Sequence, residues 1–221
     1  MKLRNSPPGE PWVENGSEGW RPLVHWRNYT HGPKVWPGTY TVKLNVDGKE
    51  FSEPLEILRD PKDLGSDQDI MANTKFLLQI RSAMNQSADT INHIEWARKQ
   101  LGDLQTMLAA NSGDASVLQA AKELEQNMEA VEGRFFPLAL TGRTEDAFRV
   151  PTTLYGKLAN LAFLVESGAD LPPTDPSVAL NKDLEQQLAE AQLAAKNLTE
   201  KVIPAFNATL KEKGLSAGIV P

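Results

Sequence analysis

Cysteine is missing altogether from the 221 residues. That excludes disulfides, a thiolate nucleophile and any thiolate metal site. It fits a reducing cytosol and an extracytoplasmic bacterial setting equally well. Histidine is scarce, with His25, His31 and His93 the full set. No basic run exceeds two residues and the net charge is −6. The chain therefore lacks the basic face that displaces counterions from nucleic acid. Hydrophobic runs are short as well. None approaches the roughly 20 residues of a membrane span. The first residues, Met1-Lys2-Leu3-Arg4-Asn5-Ser6-Pro7-Pro8, carry no signal-peptide core. The expectation is a cytosolic protein or part of a longer precursor.

What is present divides the chain in two. Residues 1–62 are expected to hold a Trp-rich coil and a β-hairpin, and residues 63–221 a helical bundle. Trp12, Trp20, Trp26 and Trp36 fall in the first 38 residues, four of the five tryptophans. Indoles lose much burial energy when left in water. The coil should therefore lie over an apolar surface: the protein's own sheet and helices, a stacked carbohydrate, or an interface. These four are the candidate interaction residues.

From residue 39 the pattern alternates. Tyr40, Val42, Leu44 and Val46 share one face, and Thr41, Lys43 and Asn45 the other. That is a half-buried strand. Asp47-Gly48 suits the positive φ angles of a type I′ turn. Phe51, Leu55 and Ile57 continue the apolar face on a returning strand. Pro54 lacks a ladder donor, so this strand should be an edge or carry a bulge. A lone hairpin is marginal in water. The Trp-rich segment, the bundle or residues outside this chain must complete it.

After Asp60-Pro61 the period lengthens. Ser66 and Asp69 resemble a capping box. Ile70, Leu77, Met84 and Ile91 form one heptad row. Ile80, Ile94, Leu101 and Leu108 form a second, with Ser87 as its polar break. A helix over 67–110 follows, with Gly102 a possible bend. A second helix is expected over 114–132, followed by an aromatic-packed loop over 133–150. A third opens with Pro151 in its first turn and carries Leu154, Leu158, Leu161 and Val165. A fourth is capped by Asp175, opened by Pro176 and runs to about 212. Its stripe is Leu180, Leu184, Leu188, Ala191, Leu198, Val202 and Phe206. Pro204 should kink it near Glu200, and Gly214 should close it. The fold class is α+β, mostly α: a short antiparallel hairpin, part of a sandwich, followed by an antiparallel bundle of about four helices.

Catalytic patterns are lacking. There is no GxSxG, HExxH or Gly-rich phosphate loop. His25 and His31, with Glu14 and Glu18 upstream, fall short of a metal site. His93 reads as a core-edge residue. The pairs Glu123/Glu125 and Glu129/Glu132 read as solvated helix faces, not the close carboxylates of a glycosidase. Five N-x-S/T sequons, at Asn15, Asn28, Asn85, Asn197 and Asn207, are acceptors only in a secreted eukaryotic protein. No catalytic residue, metal or cofactor is expected.

A resemblance runs along most of the chain. The string Pro37-Gly38-Thr39-Tyr40-Thr41-Val42, then Asp47-Gly48-Lys49 and Leu58-Arg59-Asp60-Pro61, resembles the C-terminal region of bacterial BNR or sortilin-like β-propeller proteins. These are often labelled glycosyl hydrolases. Pro151 through Leu161, Ala169 through Thr174, and Phe206-Asn207-Ala208-Thr209-Leu210 follow in matching order. The resemblance covers roughly residues 20–216 and marks Gly38, Tyr40, Asp47, Gly48, Asp60, Pro61, Phe206 and Asn207 as structural motif positions. It implies fibronectin-III-like strands before a helical region, and a secreted, extracytoplasmic setting. Two departures stand out: the propeller and the first sandwich strands are missing, and Lys62 replaces the usual Arg. The resemblance thus implies a non-catalytic accessory module contacting a protein partner or an N-terminal propeller and sandwich portion. The alternatives are a carboxylate hydrolase, or a homo-oligomeric filament or surface-layer subunit.

Overall fold

A computed structural model describes residues 33–110, 114–139, 150–166, 171–215 and 218–220. Strands β1 (Gly38–Val46) and β2 (Lys49–Ile57) form a two-stranded antiparallel sheet. Helices α1 (Asp67–Ala110), α2 (Ala115–Phe135), α3 (Leu154–Glu166), α4 (Asp175–Asn197) and α5 (Ile203–Glu212) follow. The class is α+β and mostly α, as the sequence pattern indicates.

The hairpin closes through Asp47 and Gly48 at φ 50° and 78°. These are the paired positive values of a type I′ turn. Its register runs without a bulge from Val46↔Lys49 to Gly38↔Ile57. In a two-residue hairpin the closing pair is hydrogen-bonded and the pairs alternate outward. Thr41↔Pro54 is then a non-bonded pair. The nitrogen of Pro54 points away from β1, where no donor is needed, so the proline sits in a regular strand. Of the two expected outcomes, edge or bulge, the edge holds.

α1 spans 44 residues, about 66 Å at 1.5 Å per residue. Its first turn is a capping box. Ser66 Oγ accepts from the Asp69 amide at 3.2 Å, and Asp69 Oδ2 accepts from the Ser66 amide at 2.9 Å. Both heptad rows are buried as expected. Ser87 is buried too, and its hydroxyl donates to the Ala83 carbonyl at 2.9 Å. That local bond is how a hydroxyl enters a helix face without an orphaned polar group. α1 continues through Gly102 unbroken.

The helices make three rods. α2 runs back along the second half of α1, as Gln105 bonds Glu125 and Arg98 bonds Glu132. α3 takes over along the first half, so Asn73 reaches the Leu171 carbonyl. α4 and α5 then run alongside α1 in the same direction, as Gln192 bonds Gln86. This is the antiparallel up-down order, with the second rod broken between α2 and α3. It yields two apolar clusters. One joins Leu77, Ile80 and Met84 to Leu158, Leu161 and Leu184. The other joins Leu101 and Leu104 to Val117, Met128, Phe206 and Leu210.

Four local expectations need correction. α2 runs to Phe135, so Phe135 and Phe136 lie in the core and not in a loop. α3 begins at Leu154 and not at Pro151. Thr153 occupies the turn before it: its carbonyl accepts from Lys157 and its hydroxyl donates to the Phe135 carbonyl. α4 is capped by Thr174, whose hydroxyl accepts from the Ser177 amide, while Asp175 is already helical. Leu180 is exposed and Asn181 takes the buried position beside it, because the buried face there starts one residue later.

At Pro204, where a kink is expected, the structure shows a π-turn. Between α4 and α5 the chain widens to a π-helix over Leu198–Val202, and the Ile203 amide bonds the Leu198 carbonyl. Proline cannot donate to the carbonyl four back, and its ring needs that space. One wide turn accommodates it while the rod continues.

Candidate functional site

The hairpin carries the predicted motif positions, and the structure departs most from expectation there. Tyr40, Val42, Leu44 and Val46 share a face with Phe51, Leu55 and Ile57. That face was expected to be half-buried. Instead Val42, Leu44, Val46, Phe51 and Leu55 are 45–57% exposed. Neither strand packs against a helix among the described residues. The register also sets Glu53 opposite Val42 and Lys49 opposite Val46 on this face, and exposed apolar surface with charge among it marks a contact surface.

The base of the hairpin is tied down. Thr74 Oγ1 donates to the Lys34 carbonyl at 3.0 Å. Tyr40 Oη donates to the Trp36 carbonyl at 2.7 Å. On the exit side, Asp60-Pro61-Lys62-Asp63 is a turn with Pro61 at its second position. The Asp63 amide bonds the Asp60 carbonyl at 3.0 Å, and Asp60 Oδ1 accepts from the Lys62 amide at 2.9 Å. Pro61 presets φ and the aspartate side chain closes the turn. Arg59 then reaches the Gly65 carbonyl and lies 3.6 Å from Asp67 in the first turn of α1. Thus Asp60 and Pro61 set how the hairpin leaves the bundle.

Trp36 is half-buried beside Tyr40. Trp12, Trp20 and Trp26, with His25 and His31, lie outside the described residues. Phe206 is a core residue of the second cluster. Asn207 holds Ile219 by two hydrogen bonds, at 2.9 and 2.8 Å. Both ends of its amide are occupied, so it is no free sequon acceptor.

The bundle offers little chemistry. A groove of about 220 Å³ lies between α1 and the α4–π segment, lined by Thr90, His93, Gln192, Lys196 and Thr199 among others, with no carboxylate. His93 is exposed on its rim. Glu132 was expected on a solvated face. It is instead 1% exposed and paired with Arg98 at 2.8 Å, and Glu129 takes the other guanidinium nitrogen at 2.9 Å. Two carboxylates on one cation are a structural fork, not an acid–base pair over a cleft.

Asp69 is held below the ordinary carboxylate range by hydrogen bonds from Ser66. Asp114 is held well below it by Lys213 and by Ser116. A glycosidic acid needs the opposite shift. Burial pushes the Tyr155 phenol up. Among the described residues no cluster of three His, Asp or Glu could hold a metal, and no helix is long and apolar enough to cross a membrane. The chain matches no family model, no curated protein and no solved structure.

Proposed function

We propose that this chain is a non-catalytic accessory module that mediates protein–protein packing in an extracytoplasmic bacterial protein of the BNR or sortilin-like propeller type. The exposed apolar face of the hairpin carries the reading. A two-stranded sheet is marginal alone. Among the described residues no helix covers this one, and five of its large apolar side chains are about half exposed, while its base is bonded to α1. A two-stranded sheet tethered at its base and uncovered by any described helix supports a role in which another polypeptide finishes it. The resemblance supplies the kind of partner: propeller and sandwich strands of the same protein type.

Two measurements on the purified chain test this. The first assays glycosidase and sialidase substrates, where no turnover is expected. Turnover that survives purification and vanishes on a carboxylate substitution would sink the reading. The second compares binding of an apolar fluorescent dye to the native chain and to a Leu44→Asp/Phe51→Asp variant. Dye binding should fall with helicity unchanged. An unchanged signal would mean that the hairpin face is not the accessible apolar surface. Sedimentation at rising concentration addresses the rival of a self-assembling subunit, which predicts a growing mass.

A further inference from the structure

Residues 218–220 cross the bundle between α1 and α5, and two side-chain amides hold them. Asn207 Nδ2 donates to the Ile219 carbonyl at 2.9 Å, and Asn207 Oδ1 accepts from the Ile219 amide at 2.8 Å. One residue on, Gln100 Nε2 donates to the Val220 carbonyl at 2.7 Å, and Gln100 Oε1 accepts from the Val220 amide at 2.9 Å. Each carboxamide spends both a donor and an acceptor on the main chain of one residue. A neighbouring β-strand would satisfy the same groups in the same way. The main chain is read, whatever the side chains are.

One side chain is read as well. Ile219 is 3% exposed and joins the second apolar cluster, while Val220 is 68% exposed. Gly218 is not required by space. A Cβ there would meet Asn207 Oδ1 at 3.6 Å, an ordinary contact. The end of α5 does not need this segment either. Gly214, at φ 73°, closes the helix as the Leu215 amide bonds the Leu210 carbonyl and the Gly214 amide bonds the Lys211 carbonyl. Main-chain pairing with one apolar pocket is how folded domains take up extended peptides.

We propose that the groove at Gln100 and Asn207 is a peptide-binding site, filled in cis by residues 218–220. In trans it accepts an extended peptide whose aliphatic β-branched side chain enters the Ile219 pocket. This does not rest on the role assigned to the hairpin. A tethered segment acts on its own site at an effective concentration of order millimolar, so an outside peptide enters well only when the resident segment is weakened.

The test uses the full isotopically labelled chain and acetyl-Gly-Ile-Val-Pro as the probe. In the Ile219→Asp variant, the side-chain amide resonances of Gln100 and Asn207 should shift saturably with peptide up to about 10 mM. The native chain should need at least about tenfold more peptide. A peptide with Asp for Ile should give no shift. Absence of saturation in the variant, or equal binding to both chains, overturns the proposal. Should Ile219→Asp unfold, hydrogen exchange on the native chain decides. The Ile219 amide should be protected, and Asn207→Ala should speed its exchange about tenfold or more. An unprotected Ile219 amide in the native chain overturns the proposal.

Discussion

Arg98 joins Glu132 at 2.8 Å across α1 and α2, and the glutamate side chain is 1% exposed while the arginine side chain is 26% exposed. The pair sits between the two apolar clusters, where the first half of the bundle gives way to the second. Removing one partner of such a pair leaves a buried charge without compensation. Arg98→Met is expected to lower stability by about 3 kcal/mol in denaturant unfolding. Glu132→Gln keeps the shape and leaves Glu129 on the arginine, so it should cost less. Equal, negligible losses from both would show the fork to be energetically idle.

Acid sensitivity should trace to Asp114. Lys213 at 2.7 Å and Ser116 hold its carboxyl well below the ordinary range. A depressed folded-state value means that the unfolded chain binds the proton first as pH falls. Its stabilising contribution is therefore complete above about pH 4 and is lost progressively below. Asp114→Asn should flatten the fall of melting temperature on acidification below that pH and lower stability at neutral pH. An acid limb unchanged in the variant would assign the effect to other carboxylates.

Core and rim leucines should separate cleanly. Leu158 is fully buried between α1 and α4, whereas Leu180 is 42% exposed. Leu158→Ala is expected to cost about 2–5 kcal/mol through lost transfer energy and a residual cavity. Leu180→Ala should stay within about 0.5 kcal/mol. The sequence stripes of α3 and α4 assign each of them to a buried face, so a denaturant series on the two variants checks where α4 turns inward.

The hairpin should open on its own. Its strands touch no helix among the described residues. Amide exchange across β1 and β2 should thus run well ahead of exchange in α1 or α4. Gly48→Ala places a side chain at φ 78°. It should speed hairpin exchange further while leaving the global unfolding midpoint nearly unchanged. A large shift in that midpoint would mean that the hairpin and the bundle unfold together.

Much of the fold is legible from local rules. Asp47-Gly48 has few conformations open to it besides the tight turn. Ser66 and Asp69 satisfy the first amides of α1 within four residues of sequence. Pro204 perturbs its helix wherever that helix packs. The heptad rows of α1 are long enough for their period to identify the buried face. The misreadings arise where local signals compete. Thr153 lies two residues after Pro151 and Thr174 directly after Pro172-Pro173, and which residue starts the helix depends on hydroxyls finding partners such as the Phe135 carbonyl.

The candidate sites were less legible, for one reason. Alternation in β1 indicates an apolar face but cannot say whether anything covers it. Glu132 stands among other acidic residues, and only the approach of Arg98 from 34 positions away gives it a buried partner. Asn207 and Gln100 look like surface amides until residues 218–220 return to them. Sequence by itself determined most of the secondary structure, a disturbance near Pro204 and the tight turn of the hairpin, because those follow from steric limits and hydrogen bonds within a few residues. Tertiary structure alone decided that no described helix covers the hairpin face, that Glu132 is paired and that two amides grip a peptide backbone. Each of these depends on groups brought together across tens of residues, and no local rule encodes that proximity.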